Sequence, residues 1–284
     1  MKNLILAVLL FLFVFQAGVA RAEAPFNNLE GVGGVAFNPL AYLGGAGPSE
    51  AEEKTWGNSP LGEVAKYIGK PRFGSWYVNL SDVKINWFAA GVSDTIADRL
   101  EVSYGFENIN QGDAKSHNKN NIGGKLLIVP ENWNNLQFVP AISLGVIYKH
   151  TDNVILGARH DGWDGYLVAS KTVTGFLRPV IISGGGLLTN SYATGALGYD
   201  KQSKTTLFGN IDILLTDHIL AGFEYKQGPD FNNFKNADYW DVHGAWLANK
   251  NLTIIAAYTY TGDQKSTKNV GLGSGFVLSA QYSF

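Results

Sequence analysis

The sequence predicts an all-β protein: a transmembrane antiparallel up-and-down β-barrel of about twelve strands, following a cleaved signal peptide. Three observations predict it. The last ten residues alternate, with Phe276, Leu278, Ala280, Tyr282 and Phe284 on one face and Val277, Ser279, Gln281 and Ser283 on the other. That is a period-two strand with one apolar face. The composition is aromatic and glycine-rich, with 13% Phe, Trp and Tyr and 34 glycines, and only 16% of residues are charged, against a usual ~25%. No apolar run after the N-terminal one reaches the ~18 residues of a spanning helix, so strands are left to cross a bilayer.

Residues 1–22 read as a secretory signal. Lys2 supplies the positive start, Leu4 to Phe15 is apolar, and Ala20-Arg21-Ala22 is a cleavage site. A cut after Ala24 would leave Pro25 first, so the cut is placed after Ala22. There are 22 Lys and Arg against 24 Asp and Glu; losing Lys2 and Arg21 leaves 20 against 24, a mature charge of −4. That balance offers no basic excess for nucleic acid. The chain has no cysteine, which excludes a lipoprotein anchor, disulfides and thiolate metal sites.

Residues 23–71 fall outside the strand pattern. Leu29 to Pro39 is glycine-rich, and Ser49 to Tyr67 carries Glu50, Glu52, Glu53, Lys54, Glu63 and Lys66, a composition suited to a short helix. This segment is read as a periplasmic tail or lumen plug. An added strand pair would raise the barrel to fourteen strands, whereas one lone strand would put the termini on opposite sides.

The barrel itself is assigned to 72–284. Strands are predicted at 72–80, 82–92, 98–108, 121–130, 136–149, 164–174, 178–189, 204–215, 218–228, 237–248, 252–262 and 275–284, many near the ~10 residues a tilted spanning strand needs. Leu100, Val102, Tyr104 and Phe106 oppose Glu101, Ser103, Gly105 and Glu107; Phe223 and Tyr225 oppose Glu224 and Lys226; Trp240, Val242 and Trp246 oppose Asp241 and His243. The 164–174 strand alternates poorly. Counted back from the C-terminus, long and short connections alternate as they do between the two sides of an outer-membrane barrel, until the tight turn Leu80-Ser81-Asp82 takes the place of a long loop. Phe138, Trp246 and Phe284 lie near short turns, and Phe106, Tyr148, Tyr225, Tyr260 and Phe276 near long loops, as two interfacial belts would.

Several stretches resemble an uncharacterised bacterial family, domain of unknown function 3034. They are Leu214 to Lys226, Asp238 to Trp246, Asn249 to Thr253, Glu30 to Gly34 and Ile96 to Ser103. The resemblance implies a bacterial outer-membrane location and supplies no catalytic residues. The closing strand also resembles those of outer-membrane barrels, in which the terminal aromatic is an assembly signal; here that implies Tyr282 and Phe284 as the signal, and the barrel-assembly machinery and outer-membrane lipid as partners.

Enzyme motifs are missing. There is no H-E-x-x-H, G-x-S-x-G or phosphate-loop pattern. None of His117, His150, His160, His218 and His243 has a serine two residues later, as barrel phospholipases do. Gly31-x-Gly33-x-x-Ala36 has no following helix to make it a dinucleotide site, and Arg159, His160, Asp161 and Asp164 read as a solvated loop. No enzyme activity, cofactor or metal is expected. The polar parity is more telling. Asn210, Glu224, Asp241 and His243 fall at similar heights, with Asp212 a little lower and Lys226 a little higher, and Lys84, Asn86, Glu101 and Lys125 are assigned to the same lumen lining. One reading is a polar constriction that selects solutes; the other is a Lys226–Asp241 ion pair with filler hydrogen bonds in a closed lumen, as narrow barrels fill with side chains. Three functions remain open: a passive channel or transporter for small solutes, a structural or surface-interaction barrel with a closed lumen, and uptake of hydrophobic compounds.

Overall fold

In a computed structural model, residues 26–45, 67–112, 116–232, 235–263 and 269–284 are described. The expected signal peptide, and most of the Ser49–Tyr67 stretch with its expected helix, lie outside them. Twelve strands close into one antiparallel barrel. They are β1 (Arg72–Leu80), β2 (Ile85–Ile96), β3 (Leu100–Gln111), β4 (His117–Val129), β5 (Ala141–Thr151), β6 (Asp161–Val173), β7 (Val180–Ser191), β8 (Tyr199–Thr216), β9 (Ile219–Lys226), β10 (Tyr239–Leu247), β11 (Leu252–Tyr260) and β12 (Ser274–Ser283). Closure is made by β12 on β1, from Gly275 opposite Leu80 to Ser283 opposite Arg72, and Phe284 N–H donates to Pro71 O at 3.2 Å. No edge of the sheet is left open, which a bilayer demands.

The period-two pattern appears in the burial of every long strand. Outward residues include Tyr104, Val146, Leu167, Phe223, Val242 and Leu278, each large, apolar and at least 41% exposed. In water such a surface would be an aggregation hazard; against lipid tails it is the favourable one. Phe223, Trp240, Tyr258, Tyr260 and Phe276 form a chain of ring contacts across the outer face of β9–β12.

Connections differ from the expected alternation. The β3–β4 loop shrinks because both strands extend beyond their expected ends, and 130–140 is longer than expected. The turn at Ser81–Val83, closed by Lys84 in the left-handed region (φ 56°), lies at the end carrying the longer loops. The opposite end carries the C-terminus and the tight β2–β3 hairpin, where Ala97 (φ 51°) and Asp98 (φ 53°) adopt the positive φ that matches hairpin twist. The 164–174 strand, irregular in sequence, is regular in space: Asp164, Tyr166, Val168 and Ser170 all point inward.

Residues 26–45 lie inside the barrel, and 27–45 are all buried. Two-residue pairing of Phe26–Asn27 with Gly33–Gly34 is their only strand structure among the described residues. Both ends of the segment leave at the C-terminal end of the barrel: Asn27 Nδ2 donates to Arg72 O (2.8 Å), and Gly44 O accepts from Thr95 Oγ1 (2.9 Å). Leu29, Ala36 and Phe37 pack on one apolar sector that includes Trp76, Val78, Trp87, Ala245, Ile255 and Val277. Val32, Val35, Leu40 and Tyr42 pack on another that includes Leu127, Ile147, Tyr166 and Phe208.

Leu278 sits mid-strand, 54% exposed, opposite Ala256 and Tyr77. Leu278→Arg places a charge at the middle of the lipid face and is expected to cost ~2–4 kcal/mol, read as a lower denaturant midpoint for the folded barrel in lipid vesicles. An unchanged midpoint would contradict a lipid-facing outer surface.

Candidate functional site: a plug held in the lumen

The segment pairs only part of its own backbone, through the N–H groups of Asn28, Leu29, Gly31, Val35 and Leu40, and a buried unpaired N–H or C=O costs about as much as a lost hydrogen bond. The inward side chains of the barrel supply the missing partners. Glu224 on β9 accepts from the backbone N–H groups of Ala36 (3.1 Å), Phe37 (3.0 Å) and Asn38 (2.5 Å). Glu101 on β3 accepts from Gly33 N–H (2.9 Å) and Gly44 N–H (2.5 Å). Lys125 on β4 donates to the carbonyls of Gly33 (2.8 Å), Leu40 (3.1 Å) and Tyr42 (2.7 Å), and pairs with Glu101 at 2.8 Å. Ser143 Oγ donates to Ala41 O (2.6 Å), and Ser170 Oγ accepts from Ala41 N–H (2.8 Å).

One plug side chain is charged. Glu30 meets Lys119 at 2.8 Å and also pairs with Lys149. Lys119 is shared with Glu107 (2.9 Å) and Lys149 with Asp164 (2.6 Å). Two ammonium groups, Lys119 and Lys149, thus converge on the Glu30 carboxylate. At the C-terminal end, Tyr42 O–H donates to Glu131 (3.1 Å) and lies 2.9 Å from Thr172 Oγ1. Trp76 Nε1 donates to Asn27 O (2.7 Å).

Glycine makes the closest approach. Gly31 (φ +85°) lies against Gly91 of β2 and Gly105 of β3. A Cβ on Gly105 would come within 2.4 Å of Glu30 O, and one on Gly91 within 2.5 Å of Gly31 Cα. Gly31 of the Gly-x-Gly stretch thus makes close backbone contact with the wall.

The structure brings together Asn210, Asp212, Glu224, Asp241 and His243. Glu224 faces Asn210 on one neighbouring strand and Asp241 on the other. His243 bridges Asp241 (Nδ1, 2.7 Å) and Asp212 (Nε2, 2.8 Å), and Asn210 donates to Asp212 (2.5 Å). The expected Lys226–Asp241 pair is replaced by this histidine bridge; Lys226 instead donates to Phe37 O at 3.3 Å. Glu101 and Lys125 also face the lumen. Lys84 and Asn86 do not, and this corrects their assignment. Lys84 closes the β1–β2 turn and is exposed. Asn86 points outward, accepting from Tyr77 O–H (2.7 Å) and Asn79 (2.9 Å). On these two strands the inward face is apolar as well as the outward one, with Trp76, Val78, Leu80, Ile85, Trp87 and Ala89 inside, because it meets Leu29 and Phe37 of the plug rather than water. Tyr282 and Phe284 contact each other edge-on at 5.0 Å beside the closing seam.

Sequence reading missed Asn27, Glu30, Lys119, Lys149 and Asp164 as lining or plug contacts. Glu107 shares the inward parity of Glu101 and carried a usable signal. Lys119, Lys149 and Asp164 stand near strand ends, where loop and lumen look alike.

No curated protein matches the chain in sequence. Among solved structures it is similar to the KdgM porin, with 13% identity, a TM-score of 0.52, and coverage of 75% of this chain and 99% of that one. It is also similar to the NanC porin, with 10% identity, a TM-score of 0.51, and coverage of 75% and 98%. At these identities the likeness shows a shared barrel fold.

The plug contacts make a direct prediction. Glu224→Ala strands three plug N–H groups, each having lost a hydrogen bond of ~1 kcal/mol or more. Labelling of an Ala36→Cys probe by a maleimide is then expected to rise at least about tenfold, whereas Glu224→Gln, which keeps an acceptor oxygen, should label far less. Equal labelling in all three backgrounds would mean that Glu224 does not hold the segment.

Over residues 24–281 the sequence matches the family described as protein of unknown function (DUF3034), a span that takes in both plug and barrel, and the chain belongs to that family.

Proposed function

We propose that this protein is a porin-class channel for small solutes in the bacterial outer membrane, closed at rest by its own N-terminal segment. The observation that carries the reading is the burial of residues 27–45 inside a closed twelve-stranded barrel. The segment is tethered at both ends on the side of the C-terminus, which would be the periplasmic side. It is held by polar contacts that can exchange for water and by apolar packing, so displacing it would leave a lumen ringed by Glu101, Lys125, Glu224, Asp241 and His243. The fold shared with KdgM and NanC supports a channel, and one KdgM structure is a complex with disordered oligogalacturonate. We read the protein as a transporter and not an enzyme, assembled by the barrel machinery through its terminal aromatic strand.

A second reading has its own support. Plug and wall together form two extensive apolar clusters, which suits a permanently closed structural barrel. Conductance separates the two. In planar bilayers the intact protein is expected to be nearly silent, and a variant with residues 27–44 replaced by a short Gly-Ser linker should conduct steadily. Gly105→Leu, which drives a side chain into the plug's place, should conduct intermittently. Heat-modifiable migration on a gel verifies that each barrel is folded. Folded variants that stay silent would overturn the channel and leave the structural barrel.

A further inference from the structure

Above the plug, at the end of the barrel that carries the longer loops, lies a small cleft of about 20 Å³. One water needs ~10–15 Å³, so the cleft seats a small polar head and leaves the rest of a ligand at its open mouth. Its walls set apolar residues, Leu187, Pro229 and Ala237 among them, beside polar ones such as Thr189, Thr194 and Asn236. Two charged groups line it. Asp164 is satisfied: it pairs with Lys149 (2.6 Å) and accepts from Thr189 (2.5 Å) and Ser191 (3.1 Å). Lys226 is not. Only 8% exposed, it has no ion pair among the described residues, and its ammonium donates one long bond, 3.3 Å, to Phe37 O.

Directly opposite Lys226 in the β9–β10 register stands Tyr239, 3% exposed, whose hydroxyl is buried with no hydrogen-bond partner. A buried ammonium and a buried phenol, both short of acceptors, cost free energy unless something supplies them. We infer that the cleft is a binding site for a small organic carboxylate, its two oxygens taking Lys226 Nζ and Tyr239 O–H while its apolar body lies toward Leu187, Pro229 and Ala237. Two donors, on residues paired across neighbouring strands and both lining the cleft, match the two oxygens of a carboxylate. A phosphate would leave acceptor oxygens over, and a neutral amide would leave the ammonium without an ion pair.

This deepens the channel reading, since it places the first solute contact at the mouth above the plug. The test is made on the closed, intact barrel and needs no conductance. Butyrate and its neutral isostere butyramide are titrated against folded protein in detergent by ligand-observed saturation-transfer NMR, with empty micelles as the blank. Butyrate is expected to saturate, and butyramide to bind at least about tenfold more weakly. Lys226→Met should weaken butyrate roughly ten- to a hundredfold, the usual worth of a hydrogen bond to a charged group, and Tyr239→Phe severalfold. Equal binding of the two isosteres, butyrate binding unchanged in Lys226→Met, or binding of inorganic phosphate in place of butyrate would each overturn the site. The isostere comparison stands even if a variant fails to fold. A barrel that binds butyrate but never conducts would keep the site and remove only the channel.

Discussion

Everything inside this barrel follows from one constraint: a chain segment with almost no helix or sheet has been placed where water cannot reach it. The N–H and C=O groups that it does not pair within itself must be met by the wall, because an unmet one costs about 1–3 kcal/mol. Glu224 answers for three N–H groups, Glu101 for two and Lys125 for three carbonyls. These charged side chains look like pore lining in the sequence. In the closed structure they act as the plug's missing secondary structure.

The same constraint explains the apolar inner sectors. An open channel lined by Trp76, Val78, Trp87 and Ile255 would face water at a cost of ~25 cal/mol per Å² of apolar surface. With Leu29, Ala36 and Phe37 against them, those residues form a core in the ordinary sense. The lumen therefore combines a polar set that pairs with backbone and an apolar set that pairs with side chains, and the segment fits because it has both. Glycine at 31, 91 and 105 lets plug and wall backbones touch where no side chain would fit.

What could be read from the sequence divides along this line. On β9, β10 and β12, outward and inward parity, and the shared level of Glu224, Asp241 and His243, were legible, because lipid outside and polar groups inside give opposite chemistry to alternate residues. On β1 and β2 both faces are apolar, so parity carried no information. Asn86, the polar residue of that stretch, was assigned inward, although it sits at the rim with Tyr77 and Asn79. Strand number was legible throughout, since turn residues punctuate the chain even where the alternation is blurred. Tyr166 and Val168 blurred the pattern of β6 because they face the plug's Leu40 and Tyr42 and not water. The plug's path was illegible: Glu30 meets Lys119 and Lys149 across 89 and 119 residues of sequence, and nothing local marks such partners.

The balance of the two sets bears on how the segment could leave. Apolar packing is lost over a short displacement, since dispersion contacts fall away within an ångström or so. The hydrogen bonds from Glu101, Glu224 and Lys125 are recoverable, since water admitted to the lumen replaces them at little net cost. Packing alone would leave buried N–H and C=O groups of the plug unmet, and polar contacts alone would let it leave without resistance once hydrated. With both, the barrier lies in admitting the first water, and the polar residues lower the energy of the state that follows. The wall residues that hold the closed state together are thus also ones that a hydrated lumen could keep solvated.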